Sequence, residues 1–224
     1  MKEKNYSAEI ANAIKSYLKE DDWHFSFDEE TGLFRFGLSL SSKIKKINYI
    51  VDVKEDQYIV YAIAPIGADE EDKKMMATMA EFVCRANYGL KNGNFELDMR
   101  DGEVRFKCFA DCEGITPSKD MVENSIHCPA AMFKRYGSGI VDIIFGNATA
   151  KEAVEKCEKA TEDEMRSLLS ELMEGEGGSE FSEMLAKLAE RLDMPEEGDD
   201  ESPDTGCVPA MIKTDLFGTE GDDE

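Results

Sequence analysis

Apolar side chains recur at three- and four-residue spacing near the start of the chain, at Ile10, Ala13, Ile14, Tyr17 and Leu18, which predicts an amphipathic helix with one buried face. Ser7 stands in the N-cap position and Asp21-Asp22 where the helix stops. From Trp23 the period falls to two. Trp23, Phe25 and Phe27 alternate with polar neighbours, Glu30-Thr31-Gly32 supplies a turn, and Leu33 to Leu40 runs back, which is a hairpin signal. Ile47, Tyr49, Val51 and Val53 alternate again before the turn Lys54-Glu55-Asp56 and the apolar run Tyr58 to Ala64, closed by Pro65. Four strands in series at short spacing predict an antiparallel meander.

After Gly67 the helical period returns, with Asp69 to Asp72 at the N-terminus and Met75, Met76, Met79, Phe82, Val83 and Ala86 on one face as far as Gly89. The methionines read as core, because their unbranched side chains fill irregular interiors. A second strand pair follows, Phe95 and Leu97 turning at Asp101-Gly102 into Val104 and Phe106. Ser118 opens a helix through Met121, Val122 and Ile126, which Pro129 is expected to end or kink before Ala130 to Tyr136. Gly137-Ser138-Gly139 reads as a helix C-terminal turn ahead of the apolar Ile140 to Phe145, and Thr149 caps a last helix, Ala150 to Ala160. The order predicts an α+β domain: an antiparallel meander sheet with helices packed on one face, without the βαβ alternation of a nucleotide-binding sheet.

Beyond residue 160 the chain changes character. Residues 161–224 hold 21 Asp or Glu against 4 Lys or Arg, a net of −17 out of −23 for the whole chain. Met165, Leu168, Leu169, Leu172 and Met173 form one helical stripe, and Phe181, Met184, Leu185, Leu188 and Leu192 form another, with Gly175 to Gly178 between. The expected division is therefore a domain over 1–160 and an acidic tail over 161–224, with short amphipathic helices at about 162–174 and 179–193 and a disordered end. Val208 to Ile212 and Leu216-Phe217 make a small apolar island in that end.

So acidic a chain is a poor partner for nucleic acid, whose phosphates need cations. The N-terminal residues lead into an amphipathic segment rather than an apolar signal core, and no window approaches the ~18 consecutive apolar residues of a membrane span. Cytoplasmic residence is the expectation. The six scattered cysteines (84, 108, 112, 128, 157 and 207) then read as free thiols.

Four kinds of chemistry have candidate residues. Cys108-x3-Cys112 with His127-Cys128 supplies zinc-type donors, but structural zinc pairs come from tight knuckles, and here one pair ends a strand while the other sits in a helix. His127 and Cys128 are adjacent, so on a helix they point about 100° apart and make a poor nucleophile–base pair. The Gly137 to Gly139 turn lacks the lysine and the following helix start of a phosphate loop. No spacing singles out a pair among the 49 carboxylates. The expectation is no catalytic residue, no cofactor and no metal.

The helix ending in Ala86-Asn87, the segment Gly93-Asn94-Phe95-Glu96-Leu97-Asp98 and the segment Gly102-Glu103-Val104-Arg105-Phe106 together resemble the centre of the bacterial YbjN family, whose fold is like that of type III secretion chaperones. The resemblance covers roughly residues 5–160. It implies a small α+β domain, often dimeric, with no established catalytic residues, linked in some members to sensory or stress regulation. The related chaperones bind an extended, partly unfolded segment of another protein. The acidic tail and the Cys128-Pro129 interruption depart from the family's pattern.

The expected function is a non-enzymatic protein-binding module, chaperone-like or regulatory, that recognises a protein segment or its own tail, by strand edges that pair with an extended peptide and apolar pockets that select its side chains. Trp23, Phe25, Phe34 and Tyr49 are the expected partner-binding aromatics. The alternatives are an enzyme with a cleft of carboxylates and Cys128, or a structural protein assembled through a large isologous interface.

Overall fold

The structure, a computed structural model, describes residues 5–174, with side chains as far as residue 167. Ser7 caps α1 (Ala8–Glu20) by accepting from the Ile10 amide at 3.2 Å. The helix ends where Asp22 takes φ 54° and the Trp23 amide returns to the Leu18 carbonyl at 2.8 Å. Strands β1 (Phe25–Asp28), β2 (Leu33–Ser39), β3 (Lys46–Val53) and β4 (Gln57–Ile63) form the expected meander. In the first turn Asp28 Oδ1 accepts from the amides of Glu30 and Thr31, the local bonding that makes aspartate a turn residue.

α2 (Lys73–Asn87), capped by Asp72, leads into β5 (Asn94–Leu97) and β6 (Val104–Asp111). The sheet has six antiparallel strands in the order β1-β2-β3-β4-β6-β5. β6 thus pairs with β4, and β5 becomes the edge. Inward residues of every long strand are buried: Phe34 and Phe36, then Ile47, Tyr49, Val51 and Val53, then Tyr58, Val60 and Ala62, then Val104, Phe106 and Cys108. They form one core with the buried faces of α1, α2, α3 (Lys119–Gly146) and α4 (Ala150–Glu174).

In α3, Pro129 does not end the helix. It runs unbroken through Pro129 for 28 residues, although a proline removes one helical amide and crowds the carbonyl four residues back. Two buried tyrosines from the sheet brace the turn before it. Tyr49 Oη donates to the Ile126 carbonyl at 2.8 Å, and Tyr58 Oη meets Ser125 Oγ at 3.1 Å and the Met121 carbonyl at 3.3 Å. Burial pushes both phenols up, Tyr58 to about 12, so they remain neutral donors. Gly137 and Gly139 are likewise not a turn. They lie inside α3, where a Cβ on Gly139 would stand 2.5 Å from the Phe82 ring of α2 and 3.1 Å from Cys157 Sγ of α4. The glycine lets three helices approach closely.

α4 opens with a reciprocal cap. Glu152 accepts from the Thr149 amide at 3.0 Å and its hydroxyl at 2.7 Å, and Thr149 Oγ1 accepts from the Glu152 amide. Asp142 ties the layer together by accepting from Lys43 and Lys156, each at 2.6 Å, and those bonds hold its carboxyl below the usual range. The helix continues through residue 160 to Glu174, and the compact unit that contains the sheet reaches Glu171. The expected boundary at 160 corresponds to no break, because Glu158 to Glu164 holds no glycine or proline. The helix expected at 162–174 is the continuation of α4. The helix expected at 179–193, the disordered end and the apolar island lie outside the described residues.

Candidate protein-binding surface

The four helices of the described residues pack on the inward face of the sheet, so among those residues the outward face carries no helix and is the face left for recognition. Its side chains follow from the strand register. One row crosses the sheet as Arg35, Ile50, Tyr61 and Lys107. Beside it lie Leu33, Asp52, Ile59 and Phe109, and on the other side Gly37, Asn48, Ile63, Arg105 and Glu96. Ile50, Ile59, Tyr61 and Ile63 are half-buried by their neighbours and stand apart from the core cluster, while Phe109 is 52% exposed.

Charges border this apolar centre. Lys46 lies across Gly37, Arg105 covers the Tyr61 ring with Cζ 4.5 Å from its centroid, and Glu96 accepts from Arg105 at 2.8 Å and Lys107 at 2.5 Å. Partial burial pulls the Glu96 carboxyl up, but the Lys107 and Arg105 bonds outweigh it and hold the group below its ordinary value. Arg35, Lys46, Arg105 and Lys107 make this face far less acidic than the chain as a whole. An apolar strip bordered by cations can take apolar side chains of a partner and, at their flanks, carboxylates.

The expected partner-binding aromatics are on the other face. Phe34 and Tyr49 are core residues, 0% and 1% exposed. Phe25 and Trp23 are half-buried and also turned inward, Phe25 against Phe34 and Trp23 edge-on to Phe36 and His127 with its indole donating to Asp21 at 2.7 Å. Once the helices cover the face that carries the larger aromatics, the alternate positions are left outside. The signal for them is the run Tyr58 to Ala64, apolar at every position, as in a strand with apolar contacts on both faces.

β5 is one edge of the sheet, and a cleft of about 550 Å³ lined by Ala80, Val83, Leu97 and Met99 lies beside it. Asn87 occupies that edge. Its amide donates to the Phe95 carbonyl at 2.9 Å and accepts from the Phe95 amide at 2.7 Å, so one side chain imitates a neighbouring strand. Asn87→Ala is expected to cost about 1–2 kcal/mol by stripping both bonds, and to make the protein self-associate through β5. Urea melts with sedimentation of the variant against the parent check both parts.

The candidate zinc donors Cys108, Cys112, His127 and Cys128 do not converge as a set. His127 is exposed and its Nε2 lies 2.8 Å from Tyr17 Oη, while Cys112 sits past the end of β6 with its amide bonded to the Asp56 carbonyl. Among the described residues no three His, Cys, Asp or Glu side chains cluster as metal ligands, and no helix is long and apolar enough to cross a membrane. No protein-family model matches the chain, and no curated protein matches it in sequence.

Proposed function

We propose that this chain is a non-enzymatic, cytoplasmic protein-binding module whose outward sheet face receives an extended segment of a partner protein, apolar at alternate positions and acidic at its flanks. The observation that carries the reading is the strip of Ile50, Ile59, Tyr61, Ile63 and Phe109, which lies outside the core and is bordered by Arg35, Lys46, Arg105 and Lys107. Side chains two apart on an extended peptide meet successive positions of such a strip. The resemblance to the YbjN family supports the reading, since it carries a type III secretion chaperone-like fold and relatives that hold extended segments.

The test places a photoreactive phenylalanine analogue at Tyr61, at Phe109 and, as a control, at Tyr88, which is 93% exposed after α2. Irradiation in the native host should join positions 61 and 109, but not 88, to one stretch of another protein. That stretch, made as a peptide, should bind the purified chain and lose at least tenfold in affinity to Ile59→Glu or Lys107→Glu. Cross-links only within the chain or between its copies would overturn the reading in favour of a self-contact or a dimer.

A further inference from the structure

A cleft on the helical side of the sheet lies between α3, α4 and the loop that joins β2 to β3. α3 lines it with Ala131, Lys134, Arg135 and Ser138, at positions i, i+3, i+4 and i+7, so all four stand on one side of the helix. α4 faces them with Ala160 and, one turn on, Glu164, and Lys43 closes the side formed by the loop. The small side chains at 131, 138 and 160 leave about 570 Å³ between these walls, the size of a small-molecule site.

In a chain of net charge −23 this cleft gathers Lys43, Lys134 and Arg135 against one lining carboxylate, Glu164. Lys134 Nζ lies 2.7 Å from Glu164 Oε1, but both side chains are more than half exposed, so water competes for that pair. Lys43 shares Asp142 with Lys156, each at 2.6 Å, one carboxylate for two ammonium groups. Arg135 is the least satisfied. Among the described residues its buried Nε has no hydrogen-bond partner, and a terminal nitrogen stops 4.0 Å from Glu158 Oε1, beyond hydrogen-bond reach. Its Cζ lies 5.0 Å from the Tyr136 ring centroid, a contact that positions the group and spends no N–H donor. A buried donor without an acceptor costs free energy, and a guanidinium is the group that meets a phosphate through two parallel N–H bonds.

We propose that this cleft binds a small phosphomonoester, its phosphate held by Arg135, Lys134 and Lys43 and its organic body laid against Ala131, Met132 and Ala160. The phosphate supplies the acceptor that Arg135 lacks. Its charge of about −2 also balances the cations that Asp142 and Glu164 leave unmatched, with Glu164 turning from Lys134 to water. A monocarboxylate brings half that charge and one oxygen fewer, and so satisfies the three cations less well. Inorganic phosphate carries the charge but leaves most of the cleft unfilled. The site is separate from the outward strip of the sheet, so a ligand here and a protein segment there do not compete for the same residues.

Full-length protein labelled at its alanine and methionine methyls is titrated with phenyl phosphate and followed by NMR. The methyls of Ala131, Met132 and Ala160 should shift together along one saturating curve. Benzoate and inorganic phosphate should each bind at least about tenfold more weakly than phenyl phosphate, and Arg135→Gln and Lys43→Gln should each weaken phenyl phosphate by roughly tenfold. Lys107→Gln, on the outward face, should change nothing. Lys43 is a loop residue whose side chain is 48% exposed, so its variant reads the site even if Arg135→Gln fails to fold. Shifts that do not saturate, shifts confined to methyls elsewhere such as Met99 beside β5, or equal binding of phenyl phosphate and benzoate to the unsubstituted protein would overturn the proposal.

Discussion

Phe95→Ala is expected to lower the unfolding free energy by roughly 3–5 kcal/mol, whereas Phe109→Ala, on the same strand pair, should cost under about 1 kcal/mol. Phe95 is 2% exposed and meets three rings edge-on, Phe106 at 4.9 Å, Phe133 at 5.4 Å and Tyr136 at 5.9 Å between centroids. Its removal forfeits the transfer energy of the ring, leaves a cavity that Phe133 and Tyr136 on one helix cannot close, and breaks three favourable edge contacts. The backbone at this position is held separately by Asn87, so the strand itself should persist. Phe109 points the other way and loses little when shortened. Urea titration of both variants reads the difference, which corresponds to a gap of some 4–20 °C in Tm for a domain of this size. Equal costs would mean that something in the folded chain covers the outward face, and the proposed binding strip would not be free.

The contrast between these two phenylalanines also marks where sequence reasoning stopped. Ser7, Ser118 and Thr149 were legible as caps because a cap is satisfied within its own turn: each accepts from an amide three residues on. The alternation of Ile47, Tyr49, Val51 and Val53 was legible as a strand for the same local reason. The place of β6 between β4 and β5 was not, since pairing across α2 is decided by long-range packing rather than by any neighbouring residue. Nor was the direction of the sheet. Alternation divides residues into two sets without saying which set the helices will cover, and Trp23, Phe25, Phe34 and Tyr49 fell into the covered one.

Pro129 and Gly139 misled for a related reason. Both are breakers when judged by propensity, yet a tertiary contact decides each: the tyrosines of β3 and β4 brace the turn before the proline, and Phe82 needs the space a side chain at 139 would take.

Gly102→Ala should cost about 2–5 kcal/mol, while Gly89→Ala should cost no more than about 1–2 kcal/mol. Both glycines have positive φ, 75° and 84°, so both substitutions carry the strain of a side chain in the left-handed region. Only at Gly102 is the space also taken. A Cβ there would overlap the carbonyl of Ala68, and the Ala68 amide donates to the Gly102 carbonyl at 3.0 Å. The turn before β6 is thus clamped to the segment before α2, with the Ala64 amide donating to the Val104 carbonyl at 3.0 Å a short way along. These bonds hold the exit of β4 and the start of β6 side by side. The bulge made by an added methyl must either push Ala68 away or flatten the turn, and either motion strains the β4–β6 pairing on which Tyr61, Lys107, Ile59 and Phe109 are brought into register. Nothing lies within 4 Å of a Cβ at Gly89, so that variant isolates the backbone strain alone. Hydrogen exchange should show the Ala68 and Ala64 amides opening faster in Gly102→Ala and unchanged relative to global stability in Gly89→Ala. Equal losses in the two variants would show that the clamp contributes nothing beyond φ, and that the register of the outward strip is set by the strands themselves.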